Sequence, residues 1–223
     1  MVSQELKQKA IELRKLGKSY GFINRETGIS SSMLSYWFSN KEWSKKIALK
    51  NNKENIKNST KKIISMNKQR RLNLSEKYKL AEEEATVQFE KFKNDPMFIG
   101  ALMLYVGEGD KSNNNNSLRI GNIDHSVLGI FIKFLGKYCN IPRENIRFWL
   151  LCYPDLDIEK CENWWLEKLD LTRDNLYKTQ VIQGKHKTKR LLFGVGNIII
   201  SKKTLKIKVL KWIDLMSYEL MRA

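Results

Sequence analysis

Within GALMLYVGEGDKS, residues 100–112, an apolar run stops at Glu108, which two glycines bracket and which Asp110 and Lys111 follow. Carboxylates are ligands for hard divalent cations, and a lysine beside a phosphate can offset developing negative charge. Such a cluster at a helix end has two readings. Either Gly107 and Gly109 simply end a core helix, or the helix exists to deliver Glu108 to a particular place, since glycine otherwise costs a helix stability.

A second group of residues is basic. GKHKTKR, 184–190, joins two predicted strands, so Lys185, Lys187, Lys189 and Arg190 are expected at a hairpin tip, on phosphates or in an ordinary solvated turn. Arg119 and Arg147 fall on predicted strands whose outward side chains would face DNA. Trp149, Trp164 and Trp165 have apolar neighbours and read as core. The net charge is +17, and residues 41–71 hold eleven Lys and Arg against two Glu, more than half of the excess. A polyanionic partner fits this imbalance, and a lysine-rich surface serving solubility is the plain alternative. In that segment Lys41, Lys45, Lys46, Lys61 and Lys62 are the expected phosphate contacts, and counterion release would make their contribution salt-dependent.

Folded elements must position these groups, and the chain can build them: 223 residues, 42% hydrophobic, with six tryptophans. No apolar run approaches the roughly 20 residues that cross a bilayer, and the N-terminus lacks the apolar core of a signal peptide. The expectation is a cytoplasmic, nucleoid-associated protein without a membrane partner. Cys139, Cys152 and Cys161 lack metal-site spacing and read as small buried hydrophobes.

Residues 1–40 break into three short helices. Leu6, Ala10 and Leu13 share a face of the first; Phe22 and Ile23 give the second its apolar side; Gly28 permits a sharp turn; and Ser30 can cap a third in which Leu34 and Phe38 face inward. That leaves Ser31, Ser32, Ser35 and Tyr36 outward. The run INRETGISSSMLSYWF resembles the helix-turn-helix of bacterial and phage regulators and recombinases. The resemblance implies that these four residues face base edges in a major groove, with Lys41 on phosphate. Asn24 stands where such motifs carry a small alanine, which implies looser packing. A small protein-binding module is the alternative use of the same helices. Residues 41–94, free of Gly and Pro, read as a basic helical linker. In its second half Tyr78, Ala81, Ala85, Phe89 and Phe92 form an apolar stripe.

Asp95-Pro96 resets the chain, and 95–223 read as helices alternating with strands near 117–122, 145–153, 179–183 and 190–201, an α+β domain with a mostly antiparallel sheet. Alternation of Leu118 and Ile120 with Arg119 and Gly121 predicts one helix-covered face and one polar face. Here the opening stretch, followed by a strand, a helix and further strands, resembles the LAGLIDADG family of homing endonucleases. The resemblance implies that Glu108 and Asp110 hold Mg²⁺ and that Lys111 lies near the cleaved phosphate. It also implies that two copies pair through this helix as a homodimer cutting a long duplex DNA site. Val106 stands at the family's first acid, and Leu102 and Met103 at its small pair. Small residues stand instead at Gly100, Ala101 and Gly107, and the seven-residue spacing puts Gly100 and Gly107 on one face, which shifts the close contact by a turn. Two other functions stay open: a non-catalytic transcriptional regulator of the same architecture, and an RNA-binding intron maturase, which the helix-turn-helix argues against because A-form RNA does not admit a helix to its major groove.

Overall fold

The computed structural model describes residues 2–183 and 191–222, so Lys185, Lys187, Lys189 and Arg190 lie outside the described residues. The chain divides into two compact units, 1–73 and 74–223.

In the first unit, α1 (Gln4–Lys15), α2 (Tyr20–Thr27) and α3 (Ser31–Phe38) enclose Ala10, Ile23, Ile29, Leu34 and Phe38. Ser3, Ser19 and Ser30 cap the three helices by accepting backbone N–H groups. Gly28 takes φ 72°, the left-handed conformation the turn between α2 and α3 requires. Asn24 does not loosen this turn. Its amide donates to the Ile29 carbonyl at 2.9 Å, so the larger side chain ties the turn where alanine would only fill space.

The helix α4 (Glu42–Phe92) runs unbroken for 51 residues. Its first turns belong with the head. Arg14, 3% exposed, donates to the Ser44 hydroxyl, the Ser44 carbonyl and the Lys18 carbonyl, and its guanidinium stands 4.6 Å from the centre of the Tyr20 ring. Asn51 donates to the Gly17 carbonyl at 2.8 Å. The sequence places the head's boundary at residue 40, but these anchors extend the head into α4.

The second unit likewise starts earlier than Asp95-Pro96, because the end of α4 is part of its core. Ala81, Ala85 and Phe89 are buried there, and the Trp212 indole donates to the Ala85 carbonyl at 2.9 Å. Around them pack α5 (Pro96–Glu108), α6 (His125–Cys139), α7 (Ile158–Leu169) and α8 (Lys203–Leu220). The fold is α+β. Its four strands, β1 (Leu118–Asn122), β2 (Arg147–Cys152), β3 (Leu176–Val181) and β4 (Val195–Ile200), lie in the order β1-β4-β2-β3. The β1–β4 and β4–β2 pairings are antiparallel and the β2–β3 pairing is parallel. Since β2 separates β3 from β4, these two strands are not paired as a hairpin, contrary to the expectation from sequence. The crossover through α7 makes β3 a parallel neighbour of β2, and the outer position this gives β3 has no edge facing β4.

Alternation along the strands sorts the sheet into two faces. Leu118, Ile120, Phe148, Leu150, Ile198 and Ile200 are buried in the core. The intervening residues form the opposite face in cross-strand rows set by the register: Arg119–Ile199–Arg147, then Gly121–Asn197–Trp149–Lys178, then Val195–Leu151–Gln180. Trp165 is fully buried, and Trp164 stacks on Phe193 at 4.1 Å. All three cysteines are free thiols, and burial pushes Cys139 and Cys152 up to about 12. Among the described residues no helix is long and apolar enough to cross a membrane.

Candidate nucleic-acid interface

Two surfaces collect the polar residues singled out in the sequence. On α3, Ser31, Ser32, Ser35 and Tyr36 are all exposed, Tyr36 at 84%, while Leu34 and Phe38 hold the helix from behind. The eleven cations of 41–71 are exposed as well, and among the described residues only Lys45 is ion-paired, with Glu42 at 2.9 Å.

The second surface is the sheet face that carries Arg119, Arg147 and Lys178. No strand position on it is acidic. Trp149 sits in its middle row, against the expectation that it is core. Its neighbours Phe148 and Leu150 are the core residues, and a strand puts the residue between them on the other side. The Arg119 guanidinium stands 5.8 Å from the centre of the Trp149 ring, close enough for cation–π attraction. Arg147 donates to the carbonyls of Glu144 and Asp174, each at 3.1 Å, which holds it at the end of its row. Asn197 is 8% exposed and donates to the Val195 carbonyl. A shallow depression on this face is lined by Trp149, Asn197, Gly121, Arg119 and, from outside the strands, Glu108 and Asp110.

The junction with β1 explains the Gly-Glu-Gly end of α5. Gly109 has φ −85° and ψ 152°, an extended conformation open to any residue, so it is not a left-handed cap. It is needed because a Cβ would stand 2.5 Å from the Tyr105 carbonyl oxygen and 2.6 Å from the Tyr105 ring. That close approach lets Gly109 bridge to Ile120 and Asp110 N–H donate to the Arg119 carbonyl, tying the helix end to β1. Tyr105 completes the tie by donating its hydroxyl to the Asp110 carbonyl at 2.7 Å. Glu108, last in the helix, is exposed and makes no hydrogen bond or ion pair among the described residues.

Asp110 has a different situation. It accepts from the Ser112 N–H at 2.9 Å and from the Asn115 amide, and it lies 3.7 Å from both Arg119 and Lys206. Burial pushes its carboxyl up, but the Ser112 N–H, the Asn115 amide and the two cations outweigh this and hold it below the ordinary carboxylate range. Lys206 is fully buried and has no hydrogen-bond partner among the described residues, and burial holds its ammonium below the ordinary lysine range. Lys111 donates to the Val106 carbonyl at 2.7 Å, satisfying one of the free carbonyls at the end of α5.

Mg²⁺ binds through several oxygens at short range. Within one chain the residues do not fit it: both Asp110 oxygens are committed to the 110–117 loop and to cations, which leaves Glu108 alone. Among the described residues no three His, Cys, Asp or Glu side chains converge to hold a metal. Sequence reasoning overlooked Trp149, Asn197, Lys178 and Gln180, although the period-2 pattern that placed Arg147 outward also covers Trp149. Comparison of the chain with family models, curated proteins and solved structures gives no match.

Proposed function

We propose that the chain is a sequence-specific double-stranded DNA-binding protein, in which α3 reads bases, the basic front of α4 contacts phosphates and the open sheet face supplies a second contact surface. One observation carries this reading: the cations of 41–71 are exposed and, Lys45 apart, unneutralised within the described chain. A surface serving solubility alone would interleave acids with the lysines. We place its binding partner in the nucleoid and its working form as a homodimer. The outward face of α5 supports the dimer, since Gly100, Met103 and Gly107 are exposed on one stripe and a Cβ on either glycine would meet nothing within 4 Å.

The test is binding of the full chain to a random-sequence duplex at rising salt. Affinity should fall log-linearly with salt, and replacing Lys45, Lys46, Lys61 and Lys62 by Gln should lower the slope by roughly 0.9 for each phosphate that is no longer neutralised. No binding at about 50 mM salt would sink the proposal. A slope untouched by the four substitutions would remove α4 from the interface.

Glu108, which lines the depression on the sheet face and has no partner among the described residues, favours a second reading, in which the homodimer cleaves DNA with Mg²⁺. Such a site would need the Glu108 carboxylates of two copies, because Asp110 is already occupied. In this reading Glu108→Gln abolishes Mg²⁺-dependent cleavage and leaves binding intact. Wild-type protein that does not nick its tightest site with Mg²⁺ present returns the regulator.

A further inference from the structure

The helix-turn-helix accounts for duplex reading, but it leaves the centre of the open sheet face without a role. Trp149 is half-buried there, and its indole Nε1 is a buried donor with no acceptor among the described residues. Because Nε1 is sealed inside the protein, what this face offers a ligand is the exposed part of the ring rather than the N–H. Around the ring stand the Arg119 guanidinium at 5.8 Å, the nine-tenths-buried Asn197 amide one strand away and Lys178 on the other side in the same row. Arg147 closes the adjacent row.

An aromatic ring on a bare sheet face, ringed by cations and amides and free of strand acids, has the chemistry for an unstacked nucleobase. The ring takes the base by stacking, guanidinium groups take its flanking phosphates or extend the stack, and amides take its edge. Paired bases cannot use it, because their faces are hidden inside the duplex. A protein surface is a poorer occupant, since only Arg119 has an acid beside it, Asp110 at 3.7 Å, and among the described residues Arg147 and Lys178 would be buried with no ion pair from this chain. We propose that the open sheet face binds unpaired nucleotides, with one base stacked on Trp149. This inference rests on the DNA-binding reading above and adds that the molecule engages single strand as well as duplex.

Three labelled probes test it with the full chain: a blunt duplex, the same duplex with a short thymidine tail, and the same duplex with an abasic tail of equal length. The abasic tail carries the same phosphates, so it separates stacking from charge. Wild type should prefer the thymidine tail to the abasic tail by at least about tenfold. Trp149→Leu should lose this preference and keep its affinity for the abasic-tailed probe; Trp149→Phe, which retains a ring, should keep most of the preference. Equal binding of the two tails by wild type overturns the proposal, and so does Trp149→Leu retaining the preference. If Trp149→Leu weakens every probe alike, Trp149 supports the fold or the duplex contact and the inference is wrong. Failure to bind even the blunt duplex removes the DNA-binding reading itself, and this inference falls with it.

Discussion

The two halves of α4 are one helix with opposite fates. Leu49, Ile56, Ile63 and Leu74 continue the same helical stripe as Tyr78, Ala81, Ala85 and Phe89. In the back half the stripe is core, with Ala85 and Phe89 at 0% and 1% exposure; in the front half Leu49, Ile56 and Ile63 are 63%, 58% and 57% exposed. A stripe is therefore not evidence of burial by itself. What differs is the rest of the helix: the back half is met by Trp212 and the aromatic cluster around Phe98, whereas lysines surround the front half. Past Asn51 every residue of the helix up to Tyr78 is exposed, and an isolated helix containing Asn52, Asn58 and Ser59 is marginal in water. A polyanion lying along its lysines would supply the missing stabilisation.

The largest expected effect separates the halves directly. Phe89→Ala removes a buried ring from the Phe98 and Trp212 cluster and should destabilise the C-terminal unit by about 3–5 kcal/mol. Ile56→Ala, on the same stripe, should change stability by less than about 0.5 kcal/mol in denaturant titration. Similar losses at the two positions would show that the front stripe is packed in solution.

Next in size is the exposed face of α3, which we propose reads bases. Tyr36→Ala or Ser32→Ala should cost about 1–3 kcal/mol on the preferred duplex and leave random-sequence binding unchanged, whereas loss of α4 lysines should weaken both. Equal losses on specific and random DNA in a quantitative binding assay would reject α3 as the reader.

Much of this architecture was legible in the sequence because local chemistry set it. Gly28, Asp95-Pro96, Asp124 and Asp157 mark helix ends by their own backbone and capping preferences, and the alternation of Leu118 and Ile120 fixes which face of β1 is buried. What stayed hidden depends on partners distant in sequence. Asp110 reads as a metal ligand until Lys206, ninety-six positions later, is found beside it. Nothing local marks Arg14 for burial; Ser44, 30 positions later, covers it. The parallel pairing of β2 with β3 has no local signature either, which is why the basic stretch at 184–190 reads as a hairpin. Trp149 is the instructive error: the pattern that places it outward was present, but hydrophobicity was given more weight than period.

A smaller effect tests where the head ends. Asn51→Ala removes the bond to the Gly17 carbonyl, about 1 kcal/mol, against a gain in helix propensity of up to about 0.7 kcal/mol. Asn58→Ala, exposed and without such a bond, should show the gain alone. The two variants should therefore shift the melting temperature in different directions, or at least by clearly different amounts. If both stabilise equally, the anchor of α4 to the head is not formed in solution.

The smallest effect lies at the junction after the back half, where Asp95 caps α5 by accepting the Met97 N–H and pairs with Lys137 at 2.8 Å. The hydrogen bond from Lys137 is the main reason the Asp95 carboxyl falls to about 2 and the Lys137 ammonium rises to about 12. A carboxyl whose folded value is depressed stabilises above its unfolded value and loses that contribution as pH falls through the folded one. Asn is as good a helix cap as Asp, so Asp95→Asn isolates the charge. Wild type should melt slightly above Asp95→Asn at neutral pH, and the gap should close as pH falls from about 3.8 to about 2. Because Asp95 and Lys137 are both solvent-accessible, salt should shrink the same gap. A gap that survives below about pH 2 would assign the difference to the cap rather than to the pair, and would leave the back half joined to α5 by packing alone.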